Sequence, residues 1–351
     1  MLVVIGIAQG AFLLLLVVFL TIRRQVDRSR HDAFVVGRHG LGVPLGEWLA
    51  GTGTVEPFVA ALRRLPAGTA IGMTAHLVRG SIAQEAREEL AIVLRDEPWI
   101  RRGLAGAASG GWGRRLEAAR CLALVGTPAD GPSLTLLLHD PRPAVSAAAV
   151  TALPRVANAR LVSELLDQMV TMPIVVRRYL QTALREIRPL VEQPLTERLE
   201  SNAAESSLTK WTELAGALDL PGALHAVARL ATHEAPTVRA AVAHALRRAP
   251  SRQSAEIIAR LLEDESPLVR AAAAHALGEL ASPAAIPMLL HASRDDAWAV
   301  RYRAVLALSQ LGEAGRSALR SLRSDSDRYV ADMATLIGGL SDGALLDMVE
   351  G

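Results

Sequence analysis

Valine returns at one spacing through most of the chain. It stands at Val145, Val176, Val238, Val269, Val300 and Val330, in steps of 31, 62, 31, 31 and 30 residues. Leucine follows eight residues later at Leu153, Leu184, Leu246, Leu277 and Leu308, and Leu122 extends that series one unit towards the N-terminus. The runs beginning at Pro236, Pro267 and Trp298 align without a gap. On a helix, offsets of 0, 4, 7 and 8 share one face, so each unit presents a buried Val-Ala-Leu stripe. A fixed period of this length describes stacked supersecondary units, each burying its apolar face against its neighbours. This constrains the fold class to all-α, an α-α superhelix.

Each period has room for two helices of about a dozen residues and two short turns. Residues 254–262 carry the second amphipathic segment of one such hairpin. Ser266 followed by Pro267 has the order of an N-cap and a first-turn proline, and Pro143 and Pro236 hold the matching positions. Gly126 and Gly278 fall where their helices should end. With aromatic residues at 3%, the core must be Ala, Leu and Val, which suits closely packed helices. The double valine step marks a degenerate unit near Ser207, where residues 201–211 are polar and hold Lys210, the sole lysine. This stretch reads as a loosened repeat, a hinge or a docking spot.

Asp140, Asp264, Asp295 and Asp325 each stand six residues before Ser146, Arg270, Arg301 and Ala331, so two units keep both an Asp and an Arg. Arg177 and Arg239 have Thr171 and His233 in place of the aspartate. This spacing resembles the inter-repeat Asp and Arg ladder of HEAT repeats, in particular the short HEAT-like units of phycobilisome lyases, over roughly residues 97–350. The resemblance implies a HEAT-like solenoid in which the arginines link neighbouring turns and helices.

The chain before the repeats divides into three parts. Residues 2–22 carry no charged side chain and are long enough to span about 30 Å as a helix. Arg23, Arg24, Arg28 and Arg30 follow, and only the terminal amine precedes. The positive-inside rule then predicts a single-pass anchor at the cell membrane, N-terminus out, with the repeats cytoplasmic. Gly6 and Gly10, beside Gln9, form a pair through which two such helices could associate as a homodimer. Residues 23–54 read as a basic juxtamembrane segment and a glycine-rich linker. Residues 55–96 read as a divergent helical cap, with helices over 55–64, 70–79 and 82–95, ahead of the repeats at 97–351. Leu340 to Val349 should form a terminal helix.

Nothing in the sequence carries a catalytic, cofactor or metal signature. The glycines at 37, 40 and 42 are not in dinucleotide-binding order, and neither a phosphate-binding P-loop nor a paired-histidine zinc motif occurs. The single Cys121 lies in an apolar helical run and reads as a core residue. The 38 basic and 36 acidic residues leave a formal charge of only +2, too little to announce nucleic acid.

The slot six residues after the valine holds Arg120, Thr151, Thr182, Glu213, His244, His275 and Leu306, and faces away from the stripe. The slots two and nine residues after the valine add Arg178, Arg185, Arg247 and Tyr302. By the resemblance this row faces the concave surface, so the candidate partner contacts are Arg178, Arg185, His244, Arg247, His275 and Tyr302. The expected function is a membrane-anchored, non-enzymatic scaffold for a protein partner, without cofactor or nucleic acid. The resemblance leaves two alternatives. One is a bilin lyase-like protein handling tetrapyrroles. The other is a nucleic-acid-binding protein, since alkylpurine DNA glycosylases are also HEAT-like stacks, although their catalytic aspartate maps onto no motif here.

Overall fold

The computed structural model describes residues 40–80 and 82–340. Among these residues every regular element is a helix. The backbone divides into two compact units, at Ala157/Asn158. Residues 2–22, with Gly6 and Gly10, and the terminal helix expected over 340–349 lie outside the described residues, apart from Leu340. No described helix is long and apolar enough to cross a membrane.

The described part of the first unit begins with α1 (40–49), so this part of the expected linker 23–54 is helical. Its glycines supply no stability of their own, and two large side chains override them. Leu41 and Trp48 are buried, with Trp48 stacked on Phe58 at 6.0 Å and its indole N–H donated to Glu89 at 2.9 Å. Next come α2 (Glu56–Leu62), α3 (Ala67–Gly80), α4 (Gln84–Arg95) and α5 (Pro98–Leu104). They close round the buried Phe58, Leu62, Ile71, Leu94 and Ile100. The long α6 (Trp112–Val125) packs against α3, α4 and α5 on one side and α8 (Pro143–Val150) on the other. Between α6 and α8 lies α7 (Gly131–Leu138), and α9 (Leu153–Val156) ends the unit.

The second unit alternates an outer and an inner helix. The outer row is α10 (Ala159–Gln168), α12 (Arg188–Leu199), α14 (Pro221–Arg229), α16 (Arg252–Leu261), α18 (Ile286–Ala292) and α20 (Gly312–Leu322). The inner row is α11 (Ile174–Glu186), α13 (Glu205–Leu218), α15 (Pro236–Leu246), α17 (Pro267–Glu279), α19 (Trp298–Gln310) and α21 (Arg328–Gly338), each packed on the next. Across α15, α17 and α19 the stripe is buried as its period demands, with Val238, Val269, Val300, Leu277 and Leu308 at 3% exposure or less, while Val176 on α11 is partly buried. Proline opens α15 and α17, and Asn158 and Ser251 cap α10 and α16 by accepting from Leu161 and Ser254 backbone N–H groups.

Small residues draw the inner helices together. A Cβ on Gly216 would overlap Ala245 across the α13–α15 seam, and one on Gly278 would overlap Ala307 across α17–α19. The outer helices are splayed, leaving clefts of about 690, 380 and 590 Å³ beside α12 and α14, α14 and α16, and α16 and α18. Tight packing on one layer and loose packing on the other bends a stack towards the tight side. The exposed face of the inner row is therefore the recessed one.

The degenerate unit is a complete helix rather than a loosened one. Leu208 and Trp211 replace the missing valine in the core of α13, and Trp211 donates its indole N–H to Leu166 O at 2.8 Å. Lys210 donates to Val170 O.

The ladder is real, but its geometry differs from the six-residue spacing that suggested it. Arg270 Nη1 reaches back to the main-chain oxygens of Asp264 and Glu265 at 2.8 and 3.0 Å. Its Nε and Nη2 grip the carboxylate of Asp295, twenty-five residues on, at 2.7 and 2.9 Å. Arg239 does the same with His233 O, Glu234 O and Asp264, and Arg115 with Ser109 O, Gly110 O and Asp140. Each aspartate also accepts the backbone N–H two residues later. One rung thus ties a loop to its own helix and to the next repeat.

Candidate functional site

The 31-residue period places His244 on α15 beside His275 on α17, and the two rings meet edge to face with centroids 5.9 Å apart. The row faces away from the buried stripe, yet His275 is only 8% exposed. The cause is the close approach of the inner helices, which encloses any side chain at their seam. Both imidazoles are held down to about 4, first by burial and then by the positive charge of Arg247 and Arg303. They are therefore neutral at pH 7.

Arg247, at the C-terminal end of α15, is the hub of the cluster. Its Nη1 donates to His275 Nε2 at 3.1 Å and to Glu279. A neutral ring that accepts at Nε2 carries its proton on Nδ1. The 3.2 Å approach of Glu279 to the same Nε2 is thus not an ion pair of its own, because Arg247 donates to both. Burial and the nearby Arg248 and Arg303 depress the Arg247 guanidinium, which stays charged.

Three residues of α19 complete the cluster. Tyr302 stacks on Trp298 with centroids 5.2 Å apart and planes 9° from parallel, and the Arg303 guanidinium lies 5.8 Å from the Tyr302 centroid. Arg303 Nη1 is enclosed and has no hydrogen-bond partner among the described residues. Trp298 is 60% exposed. Leu268 and Tyr329, on the first turns of α17 and α21, are exposed as well, so three successive inner helices carry a large apolar residue along one rim.

Of the six predicted contacts, the structure gathers His244, Arg247 and His275 and joins Tyr302 to them through Arg303. Arg178 and Arg185 stand apart on α11, separated from α15 by α13. Both are exposed, and Arg185 donates to Ala217 O at 3.0 Å, capping α13. In the same row, Glu213 faces solvent from a recess whose walls hold its carboxyl above the ordinary range, against the pull of Arg177 and Lys210.

Sequence reasoning missed Arg303 and Glu279. A signal for Arg303 existed: its slot, three residues after the valine, holds Ala148, Ala241 and Ala272 in other units. Tyr179 and Met333 take it in two more, so Arg303 is the one charged side chain in the slot of the six valine-bearing units. Cys121 takes the expected core position, fully buried, and burial pushes its thiol up to about 12, away from nucleophilic use. Among the described residues no group of three or more potential ligands could hold a metal ion.

Residues 254–336, which span α17, α19 and this cluster, match the family model for HEAT repeats. No curated protein matches the chain. Among solved structures, it is similar to the complex of CpcE and CpcF of phycocyanin lyase from Nostoc sp. PCC7120, at 18% identity and a TM-score of 0.32, covering 68% of this chain and 93% of that one. It is also similar to human deoxyhypusine hydroxylase in complex with glycerol, at 21% identity and a TM-score of 0.28, covering 90% and 98%. A designed armadillo repeat protein aligns at 17% identity and a TM-score of 0.26, covering 68% and 98%.

Proposed function

We propose that this chain is a non-enzymatic scaffold that holds a protein partner on the inner face of its second unit, at the cytoplasmic surface of a cell membrane. One observation carries the reading. The recessed face of α15, α17 and α19 combines exposed Trp298 and Leu268 with the cations Arg247 and Arg303, whereas Ala and Gly fill the seams beneath. Packing has no use for an exposed tryptophan at the rim of a recess, and contiguous exposed apolar surface with a polar border is the signature of a protein-binding face. Aromatic and arginine side chains also carry most of the free energy at such faces.

The membrane half of the reading is supported by the uncharged residues 2–22 and by Arg23, Arg24, Arg28 and Arg30 beyond them. In the anchor, Gly6 and Gly10 mark the surface for contact between two copies.

A photo-crosslinking residue at Trp298 or Tyr302, in full-length protein in native membranes, tests the binding half. Discrete protein adducts are expected there and none from Arg252, on the exposed side of α16. Equal labelling from both faces would end the reading. A reporter fused after Gly351 tests the topology, which predicts activity on the cytoplasmic side only.

A further inference from the structure

The inner-face cluster holds more positive charge than it neutralises. Its charged members are Arg247, Arg248, Arg303 and Glu279, and the two imidazoles between them are neutral. Arg247 takes Glu279. Among the described residues the Arg303 side chain has neither a hydrogen-bond nor an ion-pair partner, its Nη1 is shut away from water, and its guanidinium lies over the face of Tyr302. A half-enclosed cation beside a second cation is unfavourable until an anion joins it. The fold does not require an arginine there, since Ala148, Ala241 and Ala272 fill the same slot in other units.

The geometry points to an acidic segment of the protein partner as the occupant: one of its carboxylates seats on Arg303 and Arg247, and an apolar neighbour lies on the exposed Trp298 ring. This rests on the protein-binding reading above and gives that partner its chemistry. A guanidinium is a planar fork of donors that a carboxylate meets with two parallel hydrogen bonds, and its place over the Tyr302 ring restricts how far that fork can turn. Trp298 is held flat by its stack on Tyr302 and presents a rigid apolar platform beside that fork. Nucleic acid fits less well. A phosphate backbone needs a run of cations, whereas this row sets Glu213 and Glu279 among its arginines.

Anisotropy titrations of the full-length chain in detergent test the assignment with three labelled probes: a short peptide alternating glutamate and leucine, its glutamine counterpart, and a single-stranded oligothymidylate. The glutamate peptide should bind at least about tenfold more tightly than the glutamine one. Arg303→Gln should remove most of that preference, Arg303→Lys should restore part of it, and Arg252→Gln should leave it unchanged. Because Arg303 holds no other side chain by a hydrogen bond, its loss should not unfold the unit, and a helical melt of each variant confirms this. Equal binding of the two peptides, indifference to Arg303→Gln, or preference for oligothymidylate overturns the assignment. If the membrane crosslinks from Trp298 persist in Arg303→Gln with unchanged yield, the acidic reading falls while the scaffold stands. If wild-type protein gives no such crosslinks, the scaffold falls as well.

Discussion

Two stretches of the second unit contain nearly the same ladder residues and use them differently. Across α15, α17 and the turn before α19, Arg239 meets Asp264 and Arg270 meets Asp295, and all of these side chains are enclosed. One repeat later Arg301 keeps its main-chain bonds to Asp295 and Asp296, yet its Nε is buried without a partner. The aspartate is present, but at position 325, twenty-four residues on instead of twenty-five, and Arg294 takes it instead. The final valine step of 30 residues is the same missing residue seen in sequence. A rung is therefore set by residue count as much as by residue type, because its two ends sit on consecutive repeats whose rise is fixed by helix packing.

The largest effect should come from an intact rung. Asp264→Ala strips Arg239 of both bonds to that carboxylate and frees the Ser266 N–H, leaving an enclosed guanidinium with its two main-chain bonds and a long 3.4 Å contact to the exposed Glu265. A cost of about 3 kcal/mol is expected. Asp325→Ala removes a half-exposed pair and one backbone cap, and should cost about 1 kcal/mol. Chemical denaturation of the two variants compares them directly, and equal losses would erase the distinction between complete and broken rungs.

Acid should separate the cluster from the ladder. In the folded chain His244 and His275 titrate near 4, well below the ordinary value of about 6.5. Their folded values are depressed, so the unfolded chain binds more protons between these limits. Their stabilising contribution is complete above about 6.5 and declines as the pH falls towards 4, by about 2 kcal/mol per ring at pH 5. Asp264 and Asp295 are held below the ordinary carboxylate range, chiefly by their arginines, so their contribution is lost only at lower pH, below about 4. Stability followed from pH 7 to 5 should fall in wild type and much less in His244→Gln/His275→Gln. An identical slope in both would show that the rings do not resist protonation.

The comparison also shows what the sequence could and could not announce. The period exposed the hairpin stack and the Val and Leu core, because a repeated unit must repeat its buried face. It hid α1, whose glycines signal a loop until Trp48 finds Phe58 and Glu89, partners distant in sequence. It hid the substitution of Leu208 and Trp211 for a valine, since a larger ring can fill the same space from a different register. At the site, the adjacency of His244 and His275 follows from the spacing of 31 residues. Enclosure of His275 and isolation of Arg303 depend on how closely the helices approach, which the period does not specify.

The smallest expected effect is also the sharpest test of residue count. Arg177 ends an earlier break in the ladder: its Nε, like that of Arg301, is buried without a partner. Twenty-five residues on stands Asn202, in the slot that Asp264 and Asp295 occupy in complete units. An amide has one oxygen where a carboxylate has two and cannot accept from both Nε and Nη2, so by residue count this slot is one carboxylate short of a rung. Asn202→Asp should therefore stabilise the unit by about 1 kcal/mol, the net value of a charge-assisted pair after desolvation. A rise in denaturation midpoint, together with slower amide exchange at the start of α13, is the expected result. If stability is unchanged or falls, count alone does not make a rung. The packing of Trp211 and Lys210 would then have carried residue 202 out of reach of Arg177, making the degenerate unit a displaced repeat rather than one short of a single charge.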